Sequence, residues 1–248
     1  MTTTTTKAPT EVGDVLGFAI STRTMPETMA RIGEFLEGSE ARMVVTADSS
    51  GLVLAQDNAE LAQIYRDADL ATADSNGVVW ALNRKGHAAT RVSGVDLVSE
   101  ICRLSAEKGY RIFFLGSSPG VADQAAERLR LLYPGCNIVG SRHGFFPPDD
   151  DDLVANEIAP VEPDVLFVAM GIPRQEIFIS KTMGIIRAKV AMGVGGSLDV
   201  FSGRVKRAPK IIQALKLEWL WRVILNPSKF SKVKLLPKFV GLVWRYRG

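Results

Sequence analysis

Short apolar runs, each closed by Gly, Asp or a polar turn, recur along the chain and are followed by longer stretches with helical spacing. Arg42–Thr46 runs toward Asp48, and the shorter Leu70–Thr72 ends at Asp74. Arg111–Leu115 leads into Gly116-Ser-Ser-Pro-Gly120, after which Val121–Tyr133 has the pattern of an amphipathic helix. Asn137–Val139 is followed by Gly140. Val165–Met170 passes into Gly171-Ile-Pro173 with a helical pattern from Arg174, and Val190–Met192 into Gly193-Val-Gly-Gly-Ser197. Uninterrupted apolar runs suit strands covered on both faces. Their alternation with helical stretches predicts an α/β fold: a Rossmann-like, mostly parallel sheet sandwiched by helices. Ligands of such sheets sit outside the carboxyl ends of the strands. Thr46, Asp74, Gly116–Gly120, Gly171–Glu176 and Gly193–Asp199 all fall at those ends, so that edge is the expected site.

The C-terminal part differs in kind. Lys210–Leu225 and Lys229–Arg247 read as helical stretches separated by Asn226-Pro227, with a kink expected at Pro237. Between 203 and 248 the chain has 12 Lys/Arg against one acid, Glu218, a net of +11, which leaves the remainder at −8 although the whole is only +3. Trp219, Trp221, Phe230, Phe239, Trp244 and Tyr246 are interleaved with these bases. The pattern suits helices at an anionic lipid surface, and equally a helix pair docked on the body with solvated lysines. The expected division is a disordered Thr-rich tail at 1–10, an α/β domain at 11–202 and a basic helical C-terminal appendage at 203–248.

Composition narrows the class. The apolar share is 46% and the charged share 23%, ordinary for a globular protein with ample core. Two cysteines, Cys102 and Cys136, are too few for a disulfide scaffold and indicate a reducing compartment. The start has no apolar core of a signal peptide, and no apolar run approaches the roughly 18–20 residues of a membrane span.

Several constellations could carry chemistry. Gly171-Ile-Pro-Arg-Gln-Glu176 places Arg174 and Gln175 in the first turn of a helix. Free amides, the positive dipole end and a guanidinium there suit a diphosphate; a plain connection is the other reading. The turns containing Gly116 and Gly195-Gly196 let main chain approach a ligand. Neither fits Gly-x-Gly-x-x-Gly or a phosphate loop, which weighs against a nicotinamide enzyme or an NTPase. Asp74 stands where a general base would, or where an N-cap would, and Asp199 raises the same choice. Asp149–Asp152 suggests a metal-binding Asp-x-Asp, yet it follows Pro147-Pro148 and leads into a helical pattern from Leu153, where the dipole favours carboxylates. His87 and His143 have no partners at ligand spacing. No metal and no cofactor is expected.

Ala73-Asp-Ser-Asn-Gly-Val-Val-Trp80, Arg91-Val-Ser-Gly-Val-Asp-Leu97, Phe114-Leu-Gly-Ser-Ser-Pro-Gly120 and His143-Gly-Phe-Phe146 form one ordered series. It continues with Pro163-Asp-Val-Leu-Phe-Val168, Gly171–Glu176, Gly193–Gly196, Arg207-Ala-Pro209 and Leu217-Glu-Trp-Leu-Trp-Arg222 with Asn226-Pro227. From about Val44 to about Pro227 the chain resembles the WecG/TagA/CpsF family of bacterial glycosyltransferases. The resemblance implies inverting, metal-independent transfer of an N-acetylmannosamine-type or glucose-type sugar. The donor would be a UDP-sugar and the acceptor a polyprenyl-diphosphate-linked sugar, in cell-surface polysaccharide synthesis. It makes Asp74 the base, Arg91 a positioning or charge-stabilising group, Gln175 a donor contact and Thr46 part of the pocket wall. The appendage, with Arg207 and Arg222 nearest the body and facing the diphosphates, would complete the site on an anionic membrane surface. That places the protein in the cytoplasm, peripheral on the inner face of the membrane, with no nucleic-acid partner and a homo-oligomer left open. Two departures stand out: the family has Pro-Asp-Gly where this chain has Ala73-Asp74-Ser75, and Thr-x-Asn where it has Thr46-Ala47-Asp48. The rivals are a Rossmann-type nucleotide-dependent oxidoreductase and a basic-tailed nucleic-acid-binding module.

Overall fold

The computed structural model describes residues 11–206, 208–209, 212, 221 and 234–246; the 1–10 tail, Arg207 and Arg222 lie outside them. Each of the six apolar runs forms a strand: β3 (Arg42–Ala47), β4 (Leu70–Ala73), β5 (Ile112–Gly116), β6 (Ile138–Arg142), β7 (Val165–Ala169) and β8 (Val190–Gly193). They pair in parallel in the order β4-β3-β8-β7-β5-β6. All residues of β4, β5, β7 and β8 are buried, as strands covered on both faces require. In front of this sheet the chain makes an antiparallel hairpin, β1 (Val12–Val15) and β2 (Phe18–Ser21), turned through Leu16 and Gly17, both at positive φ. β2 packs beside β4, and Phe18 meets Tyr65 edge-on at 5.6 Å.

Alternate strand residues feed two separate cores. Met43, Val45, Ala71, Leu115, Leu166 and Val168 pack under α2 (Ser49–Asp57), α3 (Ala59–Asp67), α4 (Asn76–Arg84), α7 (Asp151–Ile158) and α8 (Arg174–Ile186). Val44, Leu70, Phe114, Phe167, Val190 and Met192 pack under α1 (Met25–Glu37), α5 (Gly94–Lys108), α6 (Val121–Leu132) and α9 (Ser197–Phe201). β5 thus sends α6 to one face while its neighbour β7 sends α8 to the other, and β8 and β3 part in the same way with α9 and α2. Where neighbouring connections part to opposite faces, the carboxyl edge opens into a ligand crevice.

The acidic run at 149–152 begins its helix earlier than the pattern from Leu153 indicates. A 3₁₀ turn over Pro148–Asp150 passes directly into α7, because carboxylates stabilise the first turn. A last helix, α10 (Leu235–Arg245), lies against α2 and α4. Phe239 is fully buried and Val243 nearly so, both in the core that includes α2 and α4. Pro237 stands in the first turn of α10, where no i−4 donor is needed, so it opens this helix instead of kinking it. No described helix is long and apolar enough to cross a membrane.

Candidate active site

Asp74 directly follows β4, and its amide extends the parallel ladder by donating to the Ala47 carbonyl at 3.0 Å. Ser75 is the N-cap of α4: its Oγ accepts from Val78 N at 3.3 Å and Ser49 N at 3.1 Å. Capping therefore falls to Ser75 and leaves the Asp74 carboxylate for another role. That carboxylate accepts from Gly94 N at 3.3 Å, at the start of α5, and lies 3.7 Å from a terminal nitrogen of Arg91. Arg91 also donates through Nε to the Asp74 carbonyl at 2.6 Å. About a quarter of each side chain is exposed, so the pair is held yet reachable.

A continuous row of contacts runs from this pair across the sheet edge. Gly94 packs on Thr46, whose buried hydroxyl donates to the Gly193 carbonyl at 2.8 Å, pinning β3 to β8. Glycine at 193 leaves room for Gln175, since a Cβ there would lie 2.5 Å from its Nε2. Gln175 is 1% exposed; its Oε1 accepts from Gly171 N at 3.1 Å and Gly195 N at 3.0 Å, and its Nε2 donates to Glu176 Oε1 at 2.8 Å. Both the oxygen and the nitrogen of its amide are engaged inside the protein. The side chain thereby clasps the β7 and β8 loops together at the carboxyl edge. Gly171 and Gly195 present main chain at positive φ, and Gly196 caps α9.

Arg174, beside Gln175, is held from another side. It forms a forked ion pair with Asp151, with one arm at 2.9 Å, and its guanidinium lies 5.1 Å from the Phe146 ring and 5.8 Å from Phe178. A guanidinium held on a 5%-exposed carboxylate ties α7 to α8. Asp151 is taken by the same pair, and among the described residues no group of three or more His, Cys, Asp or Glu is arranged around a common point.

On the β5 side, Gly116 has φ +132, and a Cβ there would lie 2.4 Å from the Ala169 carbonyl. The close approach lets Ser117 N donate to that carbonyl at 2.8 Å. Ser117 Oγ reaches Asp199 at 3.4 Å, so Asp199 braces the β5 loop against α9.

Two participants carry no sequence signal of their own. Tyr65, from α3, is almost wholly buried with no hydrogen-bond partner for its hydroxyl among the described residues. Burial, and then the carboxylates of Glu176, Asp48 and Asp74, push its pKa well above the usual phenol value. Asp48 caps α2, accepting from Gly51 N at 2.6 Å and Ser50 Oγ at 2.7 Å, a role an acid fills as well as an amide would. At the far end of the row, Phe239 of α10 lies 3.5 Å from where a Cβ on Gly77 would stand, three residues after Asp74.

A parallel sheet whose neighbouring connections part to opposite faces, with a carboxylate gripped by a guanidinium at its carboxyl edge, is the arrangement on which α/β enzymes build their sites. The chain belongs to the glycosyl transferase WecG/TagA/CpsF family, whose model matches residues 13–248, and is a glycosyltransferase. It is 34% identical over 213 residues, 86% of this chain and 82% of the relative, to an N-acetylglucosaminyldiphosphoundecaprenol N-acetyl-beta-D-mannosaminyltransferase of Bacillus spizizenii (strain ATCC 23059 / NRRL B-14472 / W23).

Proposed function

We propose that the protein transfers a sugar from a UDP-sugar to a polyprenyl-diphosphate-linked sugar, with inversion and without a metal ion. The observation that carries this reading is the Asp74 carboxylate at the end of β4, freed from capping by Ser75 and gripped by Arg91 and the Gly94 amide. The name of the Bacillus relative supports a lipid-diphosphate acceptor and N-acetylmannosamine as the sugar moved.

In this reading Asp74 takes the proton of the acceptor hydroxyl as that oxygen attacks the anomeric carbon. The bond to the UDP oxygen breaks, and UDP leaves with the electron pair. Gly94 N and Arg91 orient the carboxylate, and the clasp by Gln175 fixes the β7 and β8 loops on the donor side of the site. Arg207 and Arg222 are assigned to the diphosphates, on the basic segment that reaches an anionic membrane surface.

The test is UDP release from UDP-N-acetylmannosamine, UDP-N-acetylglucosamine and UDP-glucose with a short-chain lipid-diphosphate-N-acetylglucosamine acceptor, with and without chelator. Turnover with the mannosamine donor that survives chelator is the expected result. Turnover only with another donor overturns the sugar assignment, and loss restored by Mn²⁺ or Mg²⁺ overturns metal independence.

A further inference from the structure

Cys102 and Cys136 take no part in the site just described, yet the fold brings them together. Cys102 is fully buried on α5, and Cys136 is 6% exposed in the turn between α6 and β6. Ser105 lies one turn beyond Cys102 on the same face of α5. It receives the Asn137 amide on its Oγ at 3.0 Å, and Asn137 Nδ2 donates to the Gly109 carbonyl at 3.0 Å. These two bonds lay the Cys136 turn along the Cys102 face of the helix, where both cysteines pack into the same buried cluster. Pro134 and Gly135, just before Cys136, are exposed, so one layer of turn separates this thiol from water.

We propose that Cys102 and Cys136 form a peroxide-responsive thiol pair that closes to an intramolecular disulfide. The Cys136 thiolate attacks a peroxide oxygen, the O–O bond breaks and hydroxide leaves, giving a sulfenic acid. Cys102 sulfur then attacks that sulfur and displaces hydroxide, which takes the Cys102 proton. Two thiols and one peroxide become one disulfide and two waters, the usual order for a reactive thiol beside a resolving one. The roles follow from the surroundings. The hydrogen bond from Cys102, helped by Ser105 and Arg130, lowers Cys136 to about 7, while the hydrogen bond to Cys136 and burial push Cys102 well above the usual thiol value. The pair lies about 12 Å along α5 from Gly94 at 1.5 Å per residue, so its oxidation can be read without an activity assay.

The test treats the full-length protein with hydrogen peroxide between pH 6 and 8 and follows thiol titration after denaturation, intact mass and the non-reduced peptide map. The expected result is loss of both thiols, a mass lower by about 2 Da, a joined Cys102–Cys136 peptide, and a rate that rises through the Cys136 pKa. In Cys102→Ala, dimedone should label Cys136; in Cys136→Ala, the Cys102 thiol should persist at the same dose. Both thiols titrating unchanged, over-oxidation of Cys136 without the joined peptide, or a cross-linked dimer in its place would each overturn the proposal.

Discussion

Arg91 grips Asp74 at two points: its Nε donates to the Asp74 carbonyl at 2.6 Å, and a terminal nitrogen lies 3.7 Å from the carboxylate. The grip fixes main chain and side chain together, which a planar guanidinium can do and a lysine ammonium cannot. Arg91→Lys keeps the charge and loses the fork. Its kcat should fall by about 10–100-fold, the scale of a small misplacement of a reacting group, while circular dichroism stays unchanged. Wild-type turnover in this variant would remove Arg91 from the positioning of Asp74.

Gln175→Ala tests the clasp. The change leaves the Gly171 and Gly195 amides without their shared acceptor and takes the Nε2 donor from Glu176. Stranded buried groups cost about 1–3 kcal/mol each, so unfolding free energy should drop by about 3 kcal/mol, with UDP affinity falling alongside it. Weakened UDP binding at unchanged stability would instead restore a direct donor contact.

Arg174 and Asp151 should respond unequally to truncation. Asp151 is 5% exposed and Arg174 23%, so Arg174→Ala strands a buried carboxylate while Asp151→Ala leaves a guanidinium that can turn to water. The expected cost by urea denaturation is about 3 kcal/mol for Arg174→Ala, near the lower bound for breaking a buried pair, and less for Asp151→Ala. Equal costs would contradict the asymmetry of burial.

The sheet was legible because most of its strands are continuous apolar runs ended by Gly or Asp; β6, alone among the six, runs on through its glycine, Gly140, to Arg142 as a less buried edge strand. The hairpin Val12–Ser21 was not, since its turn uses Leu16-Gly17 in place of the Asn-Gly or Asp-Gly that announces such turns. Chain order put Asp74 and Thr46 at the carboxyl edge, where Gly94 lies between them, whereas Arg91 was marked only by the family resemblance. What Arg174 and Gln175 do could not be read along the chain. Arg174 turns to Asp151, 23 residues earlier, and Gln175 to Gly195, 20 residues later, pairings that only the packing of α7, α8 and the β8 loop creates. Tyr65 was silent for the same reason: a tyrosine on an apolar helix face carries no mark of the acids whose field reaches it.

α10 is bound to the body by Phe239, which is fully buried and lies against Gly77. Around it Lys238 pairs with Asp57 at 2.7 Å and Arg84 stacks on Trp244 at 3.5 Å. Phe239→Ala should cost about 3–5 kcal/mol if the cavity stays open, with protease cleavage appearing first near α10. An unchanged melting midpoint and cleavage pattern would show that this helix leaves the body in solution.

Turnover of Asp74→Asn tests the proposed chemistry most directly. The amide keeps the size of the carboxylate and can still accept from Gly94, but it cannot take the acceptor proton. Removing a general base lowers kcat by roughly 10²–10⁴-fold, so UDP release to the lipid-diphosphate acceptor should fall on that scale with the fold and UDP affinity intact. Asp74→Asn turning over within a few-fold of wild type would contradict the assignment and pass the role to another carboxylate.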